Sequence, residues 1–298
     1  MTATITTERV RFDADGTTLV GDLHRPVEAA AEAPAIVLAG SWTTVKEQMA
    51  GRYARRLAER GFVTLAFDFT GTGQSAGAPR DVEDPTRKAA DLTAAVRFLR
   101  SAPGIDADRV GALGVCAGAG YVATAAAGND EIRSLAFVAP WLHDADLVEA
   151  VYGGADGVAE RLTVGRAAAD RYAATGEVSY VPAISETDPN AAMFGPFEYY
   201  LDPNRGAIPE WSARFAEMAW PGWLTFDPIP TADRIAQPVL IVHGRDGAVP
   251  DGAQAFHDRL TGPKDLHWTA GTQFDFYDQA EQVDLSVDLA ARHFEATL

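Results

Sequence analysis

Short apolar segments alternate with helix-like segments along most of this chain, and no other feature of the sequence restricts the possible folds as strongly. Strands are predicted at residues 4–12, 18–24, 35–39, 63–67, 110–115, 135–139, 239–242 and 266–269. Helices are predicted at residues 47–60, 89–99, 119–127, 251–260 and from about 279 onward. This alternation is typical of an α/β fold, in which helices cover both faces of a mostly parallel central sheet.

The alternation stops after the sixth predicted strand and resumes only near residue 238. Between residues 141 and 237 the chain is rich in aromatic residues, Pro and Gly, with no regular succession of strands and helices. We therefore predict a single domain over residues 1–298, with a core formed by residues 1–140 and 238–298. Residues 141–237 are predicted to form a cap that is inserted after the sixth strand.

The composition argues against several classes of function. The chain has 298 residues, with 42 acidic and 25 basic side chains and a net charge of −17. This acidity argues against nucleic acid and an anionic membrane as partners, since both require a basic surface. The first residues lack an apolar signal core and no apolar run reaches about 18 residues, so a cytoplasmic protein is predicted. The expected partner is a small-molecule substrate, with no cofactor and no metal, and a homo-oligomer is left open.

The only cysteine of the chain lies in a glycine-rich turn. Cys116 stands in Gly114-Val115-Cys116-Ala117-Gly118, between a predicted strand and a predicted helix. A single cysteine excludes an internal disulfide and a zinc site built from several cysteines. The pattern is the G-x-S-x-G nucleophile elbow with Cys in place of Ser, in which small residues permit a strained turn. We expect the Ala117 amide to contribute to an oxyanion hole and the helix start to lower the pKa of the thiol.

Two other interpretations of this turn stay open. The segment is also consistent with a tight strand-to-helix connection in which Cys116 is only a small apolar side chain. Gly114, Gly118 and Gly120 loosely resemble the glycines of a dinucleotide-binding turn. That second interpretation requires an acidic residue after the following strand, which ends instead at Ala139-Pro140.

Three further stretches accompany the elbow. Residues 67–75 read FDFTGTGQS, residues 40–43 read GSWT, and residues 242–250 read VHGRDGAVP. Together they resemble the α/β-hydrolase superfamily, in its dienelactone-hydrolase-like and peptidase-like branch, over nearly the whole chain. The resemblance implies that the amide of Trp42 is the second oxyanion donor and that Asp246 is the acid of the catalytic triad. An Asp-Gly pair also favours an ordinary turn, which is the alternative for Asp246.

The residue in the place of the family's catalytic base is a glutamine. The family's loop reads G-x-x-H-x-D-x-Y-D before the last helix, and this chain reads GTQFDFYD over residues 271–278, with Gln273 in the place of the histidine. Glutamine accepts no proton near neutral pH, whereas a base typically contributes about 10² to 10⁴-fold to the rate. A thiol depends less on a base than a hydroxyl does, so Cys116 and Gln273 form a coherent pair. Water activation then lacks a base, for which His143 is a candidate, with a cap-packing or solvated histidine as the alternative.

The aromatic residues of the predicted cap suggest the class of substrate. We expect Trp141, Tyr199, Trp211, Trp220 and Trp223 to line an apolar pocket above the elbow. The alternative for each is that it holds the cap onto the core. A pocket of this kind fits a small or medium apolar substrate better than a polymer.

These observations predict a hydrolase that cleaves an ester, lactone or thioester through a covalent intermediate on Cys116. In this hypothesis Asp246 and Gln273 occupy the acid and base positions of the triad. Because Gln273 weakens the argument for hydrolysis, an acyltransferase, or a lyase or isomerase on the same site, is the nearest alternative. A non-catalytic ligand-binding protein with a degenerate triad is an alternative of a different class.

Overall fold

The predicted strands pair into one mixed sheet in the computed structural model, which describes residues 3–28 and 32–298. The strands are β1 (Ile5–Ala14), β2 (Thr17–Pro26), β3 (Ala33–Ala39), β4 (Val63–Asp68), β5 (Ile105–Val115), β6 (Leu135–Val138), β7 (Tyr180–Pro182), β8 (Ile184–Ser185), β9 (Met193–Phe194), β10 (Arg214–Ala216), β11 (Val239–Asp246) and β12 (Lys264–Thr272). Eight of them form the main sheet in the order β1-β2-β4-β3-β5-β6-β11-β12. Only the pairs β1–β2 and β2–β4 of this sheet are antiparallel. This confirms the predicted α/β fold with a mostly parallel sheet.

Helices cover the sheet and build much of the segment that joins β6 to β11. They are α1 (Met49–Ala58), α2 (Pro85–Ser101), α3 (Ala117–Ala126), α4 (Ala145–Tyr152), α5 (Gly154–Thr175), α6 (Glu198–Leu201), α7 (Trp220–Leu224), α8 (Pro250–Arg259), α9 (Asp275–Asp278) and α10 (Ala280–Thr297). Among the helices of the described residues, none combines the length and the apolar character needed to cross a bilayer.

Helix α2 begins four residues earlier than the apolar spacing predicted. The Asp84 carboxylate accepts hydrogen bonds from the amides of Thr86 and Arg87, at 3.0 and 3.1 Å, and Pro85 occupies the first helical position. An aspartate cap followed by proline is a common way to start a helix. The polar residues of the first turn hid this start from an argument based on apolar periodicity alone.

Residues 141–237, called the cap segment below, contain structure that the sequence did not reveal. The 22-residue helix α5 was missed because only Gly165 and Ala168 are buried in it, so it lacks a continuous apolar stripe. The short strands of this segment form two small sheets, β10 with β7 and β8 with β9. None of these strands joins the main sheet, whose strands lie before and after the cap segment.

The parallel strands bring three of the predicted site residues to one edge of the sheet. Cys116 directly follows β5, Asp246 is the last residue of β11, and Gln273 directly follows β12. Strands β11 and β12 are neighbours, and Asp246 pairs with Thr272 in their register. The carboxyl ends of parallel strands share one edge of the sheet. The strand topology alone therefore brings these three positions close together.

Candidate active site

The backbone of Cys116 adopts a strained conformation between β5 and α3. Its φ is +56° and its ψ is −125°, in a region that non-glycine residues rarely enter. The Cys116 amide donates to the carbonyl of Val138 at 3.0 Å, and the Trp141 amide donates to the Cys116 carbonyl at 3.0 Å. A Cβ atom at Gly118 would lie 2.5 Å from the carbonyl oxygens of Ala39 and Gly40. The glycine is therefore required by the close approach of α3 to the end of β3, as the elbow pattern predicts.

The thiol of Cys116 lies in a cavity of about 460 Å³ between the sheet edge and the cap segment. Burial raises the pKa of Cys116, because only 6% of the residue is exposed and the charged form loses its hydration. Hydrogen-bonding groups of Ser41, Tyr277, Gln273 and the Ala117 amide favour the thiolate and oppose this shift. The pKa of the thiol is thus raised, and not lowered as expected at a helix start, because burial outweighs these hydrogen-bonding groups.

Two tyrosine hydroxyls, which the sequence analysis missed, belong to this polar cluster. The Tyr200 hydroxyl donates to the Ser41 hydroxyl oxygen at 2.8 Å, and Gln273 Nε2 donates to the Tyr277 hydroxyl oxygen at 3.3 Å. Burial raises the pKa of both tyrosines well above the usual value, so both hydroxyls stay protonated and act as donors. Tyr277 lies in the quoted 271–278 stretch, four residues after Gln273, and this nearness in sequence is a signal that could have identified it. No comparable signal marks Tyr200.

The side chain of Gln273 is fixed by the backbone around it. Its Nε2 also donates to the carbonyl of Ala139 at 2.8 Å, and its Oε1 accepts from the amide of Ala248 at 3.1 Å. Asp246 is exposed at the mouth of the cavity. Within the described residues no hydrogen bond joins Asp246 to Gln273. Asp246 ends β11 and Gln273 follows the neighbouring strand β12, and both line the cavity without forming the acid–base pair of a serine hydrolase.

Both predicted oxyanion donors belong to residues that line the cavity, Trp42 and Ala117. The Ala117 amide faces the thiol of Cys116. Trp42 lies in a tight turn in which the amide of Thr44 donates to the carbonyl of Ser41 at 3.4 Å. In residues 3–28 and 32–298 the backbone amide of Trp42 makes no hydrogen bond to a protein acceptor.

Only part of the predicted aromatic lining contacts the cavity. Trp141 and Trp223 line it, whereas Tyr199, Trp211 and Trp220 do not. Tyr199 packs against other tyrosines, Trp211 donates to the carbonyl of Thr43 at 2.9 Å, and Trp220 packs on Phe215 with ring centroids 4.5 Å apart. Tyr199, Trp211 and Trp220 therefore pack within the fold, which was the alternative interpretation for each of them. Further lining residues that the sequence analysis missed are Val151, Tyr152, Met193, Phe197 and Phe274.

The candidate auxiliary base, His143, lies behind the cavity wall and is not part of its lining. Its Nδ1 accepts from the Trp141 indole at 3.0 Å, so Nε2 carries the proton and donates to the Trp223 carbonyl at 3.2 Å. Burial lowers the pKa of His143 to about 4. Both ring nitrogens therefore already form hydrogen bonds. His143 contacts Trp141 and Trp223, which line the cavity, and neither nitrogen is free to act as a base.

Known proteins with similar sequences extend these observations. The family model described as X-Pro dipeptidyl-peptidase (S15 family) matches residues 15–273. The protein PA2218 of Pseudomonas aeruginosa is 31% identical over 282 residues, which are 90% of this chain and 75% of that protein. Its crystal structure has a TM-score of 0.86 at 26% identity and covers 99% of this chain and 94% of that chain.

Two fungal enzymes are similar at a lower level. Polyketide transferase claH of Penicillium crustosum is 27% identical over 276 residues, which are 89% of this chain and 89% of that protein. Thiohydrolase aneE of Aspergillus aculeatus is 26% identical over 266 residues, which are 85% of this chain and 81% of that protein. Similarity to a transferase and to a hydrolase supports a hydrolytic or acyl-transfer activity. Because the family match spans most of the sequence, the chain belongs to the S15 family and is an α/β-hydrolase-family enzyme.

Proposed function

We propose that this enzyme moves an apolar acyl group from a thioester or activated ester onto Cys116 and then to an acceptor bound in the cavity. The observation that carries the proposal is the set of groups around the thiol. Ser41, Tyr277, Gln273 and the Ala117 amide surround the sulfur, and none of them is a base near neutral pH. These groups oppose the rise in the pKa of Cys116 that burial causes and can donate to a carbonyl oxygen, but none of them can remove a proton from water.

A thioester substrate suits this arrangement because the acylation step needs no strong base. The Cys116 sulfur attacks the acyl carbon, the bond from that carbon to the leaving sulfur breaks, and the thiol proton leaves with the departing thiol. One thioester bond is broken and another is formed, so the exchange is nearly balanced in free energy. The amides of Ala117 and Trp42 are the proposed donors to the negatively charged oxygen that forms in between.

The lining of the cavity supports an apolar acyl group. Trp141, Trp223, Phe197, Met193 and Val151 contribute apolar surface to it. Among the described lining residues Asp246 is the only carboxylate, and it lies at the mouth. A volume of about 460 Å³ accommodates a small or medium acyl chain together with its acceptor.

Hydrolysis is the second candidate, with water as the acceptor. The similarity to thiohydrolase aneE favours it, and so does the exposed carboxylate of Asp246 at the cavity mouth. Peptide cleavage, for which the S15 family is named, fits the site less well. An amide nitrogen must be protonated before it can leave, and Gln273 cannot supply that proton.

The test is intact-mass spectrometry after mixing the enzyme with a hexanoyl thioester of N-acetylcysteamine. We expect one hexanoyl adduct per chain on Cys116, a stoichiometric burst of free thiol, and release of the adduct that an added thiol or amine accelerates more than water does. The variant C116A should give neither adduct nor burst. Rapid turnover without an accumulated adduct would favour the hydrolase candidate, and a wild-type enzyme without adduct, burst or turnover would overturn the proposal.

A further inference from the structure

We propose that Glu83 and Trp211 are positioning residues that hold the turn carrying Trp42 in the conformation needed for oxyanion binding. The inference rests on the proposed acylation of Cys116. It concerns two residues that do not line the cavity and that act on the site through the backbone of Thr43.

The turn formed by residues 41–44 has an unusual backbone at its third position. Thr43 has a φ of +58°, a region that favours glycine or asparagine at this place in a turn and that is unfavourable for a β-branched residue. The Thr44 hydroxyl donates to the Ser41 carbonyl at 2.7 Å, which fixes the peptide plane that also carries the Trp42 amide. This conformation persists only if the surrounding structure holds Thr43 in place.

Glu83 holds the amide side of Thr43. The Thr43 N–H donates to Glu83 Oε2 at 2.8 Å, and only 2% of Glu83 is exposed. Lys88 Nζ lies 2.7 Å from Oε2 and 2.6 Å from Oε1, and the Tyr121 hydroxyl donates to Oε1 at 2.5 Å. Both carboxylate oxygens of Glu83 are therefore held by buried donors, one of them a cation, and this fixes the position of the carboxylate.

Glu83 also connects the turn to the helix that carries the thiol. Tyr121 belongs to α3, which begins directly after Cys116, and Lys88 belongs to α2. The buried carboxylate of Glu83 therefore fixes the turn of residues 41–44 relative to α3, the helix that follows Cys116. Removing its charge disturbs the relative position of the Trp42 amide and the Cys116 sulfur without touching either residue.

Trp211 holds the carbonyl side of Thr43 from the cap segment. Its indole Nε1 donates to the Thr43 carbonyl at 2.9 Å, and the residue is buried. The two peptide planes that flank Thr43 are thus each anchored by a hydrogen bond, one to Glu83 and one to Trp211 of the cap segment. Through this hydrogen bond Trp211 acts on the turn of residues 41–44, although its ring does not line the cavity.

The test compares two reactions of Cys116 that differ in their need for an oxyanion hole. Acylation by the hexanoyl thioester builds charge on oxygen, whereas alkylation by iodoacetamide does not. Since one oxyanion donor is worth about 10² to 10³-fold, we expect E83Q to slow acylation by about ten- to a hundredfold, while alkylation changes less than about twofold. W211F, which keeps an aromatic ring but removes the donor, should slow acylation by a smaller factor, with little effect on KM.

The double variant E83Q/K88M removes the unpaired lysine charge and keeps the experiment valid if E83Q alone folds poorly. In the E83Q background, T43G should restore part of the acylation rate, because glycine adopts the positive φ without strain. Equal losses of acylation and alkylation, or no loss of acylation in any of these variants, would overturn the assignment. If the wild-type enzyme fails to acylate, the proposed function fails instead. Amide hydrogen exchange at Thr43, expected to be faster in E83Q and W211F, then tests the positioning independently.

Discussion

The side-chain amide of Gln273 donates to the main-chain carbonyl of Ala139 at 2.8 Å. Its oxygen accepts from the Ala248 amide on the other side, so one side chain joins the loops that follow β6, β11 and β12. At the position predicted for the family's base, the side chain of Gln273 is thus held by two main-chain hydrogen bonds.

Replacing Gln273 by histidine should accelerate release of the acyl group to water. A base at this position is typically worth about 10² to 10⁴-fold, and Asp246 lies on the neighbouring loop to orient the ring. We expect at least a tenfold gain in the rate at which the hexanoyl adduct disappears, followed by intact-mass spectrometry. Q273N is the matched control, since it keeps an amide and adds no base. A Q273H adduct that decays at the wild-type rate would contradict the assigned position of the base.

Exchanging the nucleophile tests the dependence of the site on sulfur. C116S should acylate at least about a hundredfold more slowly than the wild type, because a hydroxyl depends on a general base that this site lacks. The measurement is the burst of p-nitrophenol from p-nitrophenyl hexanoate. The double variant C116S/Q273H should recover part of this loss. If C116S matched the wild-type burst, the argument that sulfur compensates for the absent base would be wrong.

The hydroxyl of Tyr277 should be visible in the titration of the thiol. Burial raises the pKa of Cys116 and the hydrogen-bonding group of Tyr277 lowers it, so Y277F should raise it further. A thiol with a raised pKa forms thiolate only as the pH rises. The pH profile of iodoacetamide alkylation should therefore shift to higher pH in Y277F, with slower alkylation at pH 7. Y199F is the control, because Tyr199 packs on Tyr277 without lining the cavity.

Protonation of His143 should destabilise the fold in mild acid. Burial lowers its pKa from 6.5 to about 4, so between these values the unfolded chain binds a proton that the folded chain does not. The free energy of unfolding should fall as the pH decreases from 6.5 toward 4, with a contribution of about 3 kcal/mol from this residue. Urea unfolding at a series of pH values should show a shallower fall for H143Q than for the wild type. Parallel curves for the two proteins would exclude this contribution.

The size of the acyl group should depend on Met193 and not on the residue beside it. Met193 lines the cavity, whereas its neighbour Phe194 is exposed and does not. Removing most of the methionine side chain deletes apolar contacts worth about 1 to 2 kcal/mol, so M193A should lower kcat/KM for longer acyl chains by about tenfold. F194A is the matched control, and equal effects of both changes across a series of chain lengths would argue against this wall of the cavity.

The strands of the main sheet and the turn at Cys116 could be predicted from the sequence, because each is marked by a short run of consecutive residues. An apolar run such as β3 needs no knowledge of its neighbours to be identified, and the glycines around Cys116 report a close contact at α3 directly. The same kind of local pattern, the spacing to Asp275 and Asp278, assigned Gln273 to the position of the base, and that assignment stays a prediction. These features depend on a few consecutive residues, which a single sequence displays in full.

The cap segment behaves differently because its contacts are made between distant residues. Trp220 and Trp223 lie in the same short helix, yet only Trp223 reaches the cavity. The side of that helix that faces the cavity depends on how the cap segment packs on the core. A pattern of five residues is too short to predict that packing. Tyr200 and Glu83 were missed because their contacts too join residues that are distant in the sequence.

The position of the only thiol at the base of an aromatic cavity also bears on how the enzyme tolerates oxidants. Peroxide reacts with the thiolate, and the raised pKa of Cys116 keeps that form scarce at neutral pH. Once oxidised, the resulting sulfenic acid finds no second cysteine in the 298-residue chain with which to form a disulfide. We therefore expect slow inactivation that only reductants small enough to enter the cavity can reverse.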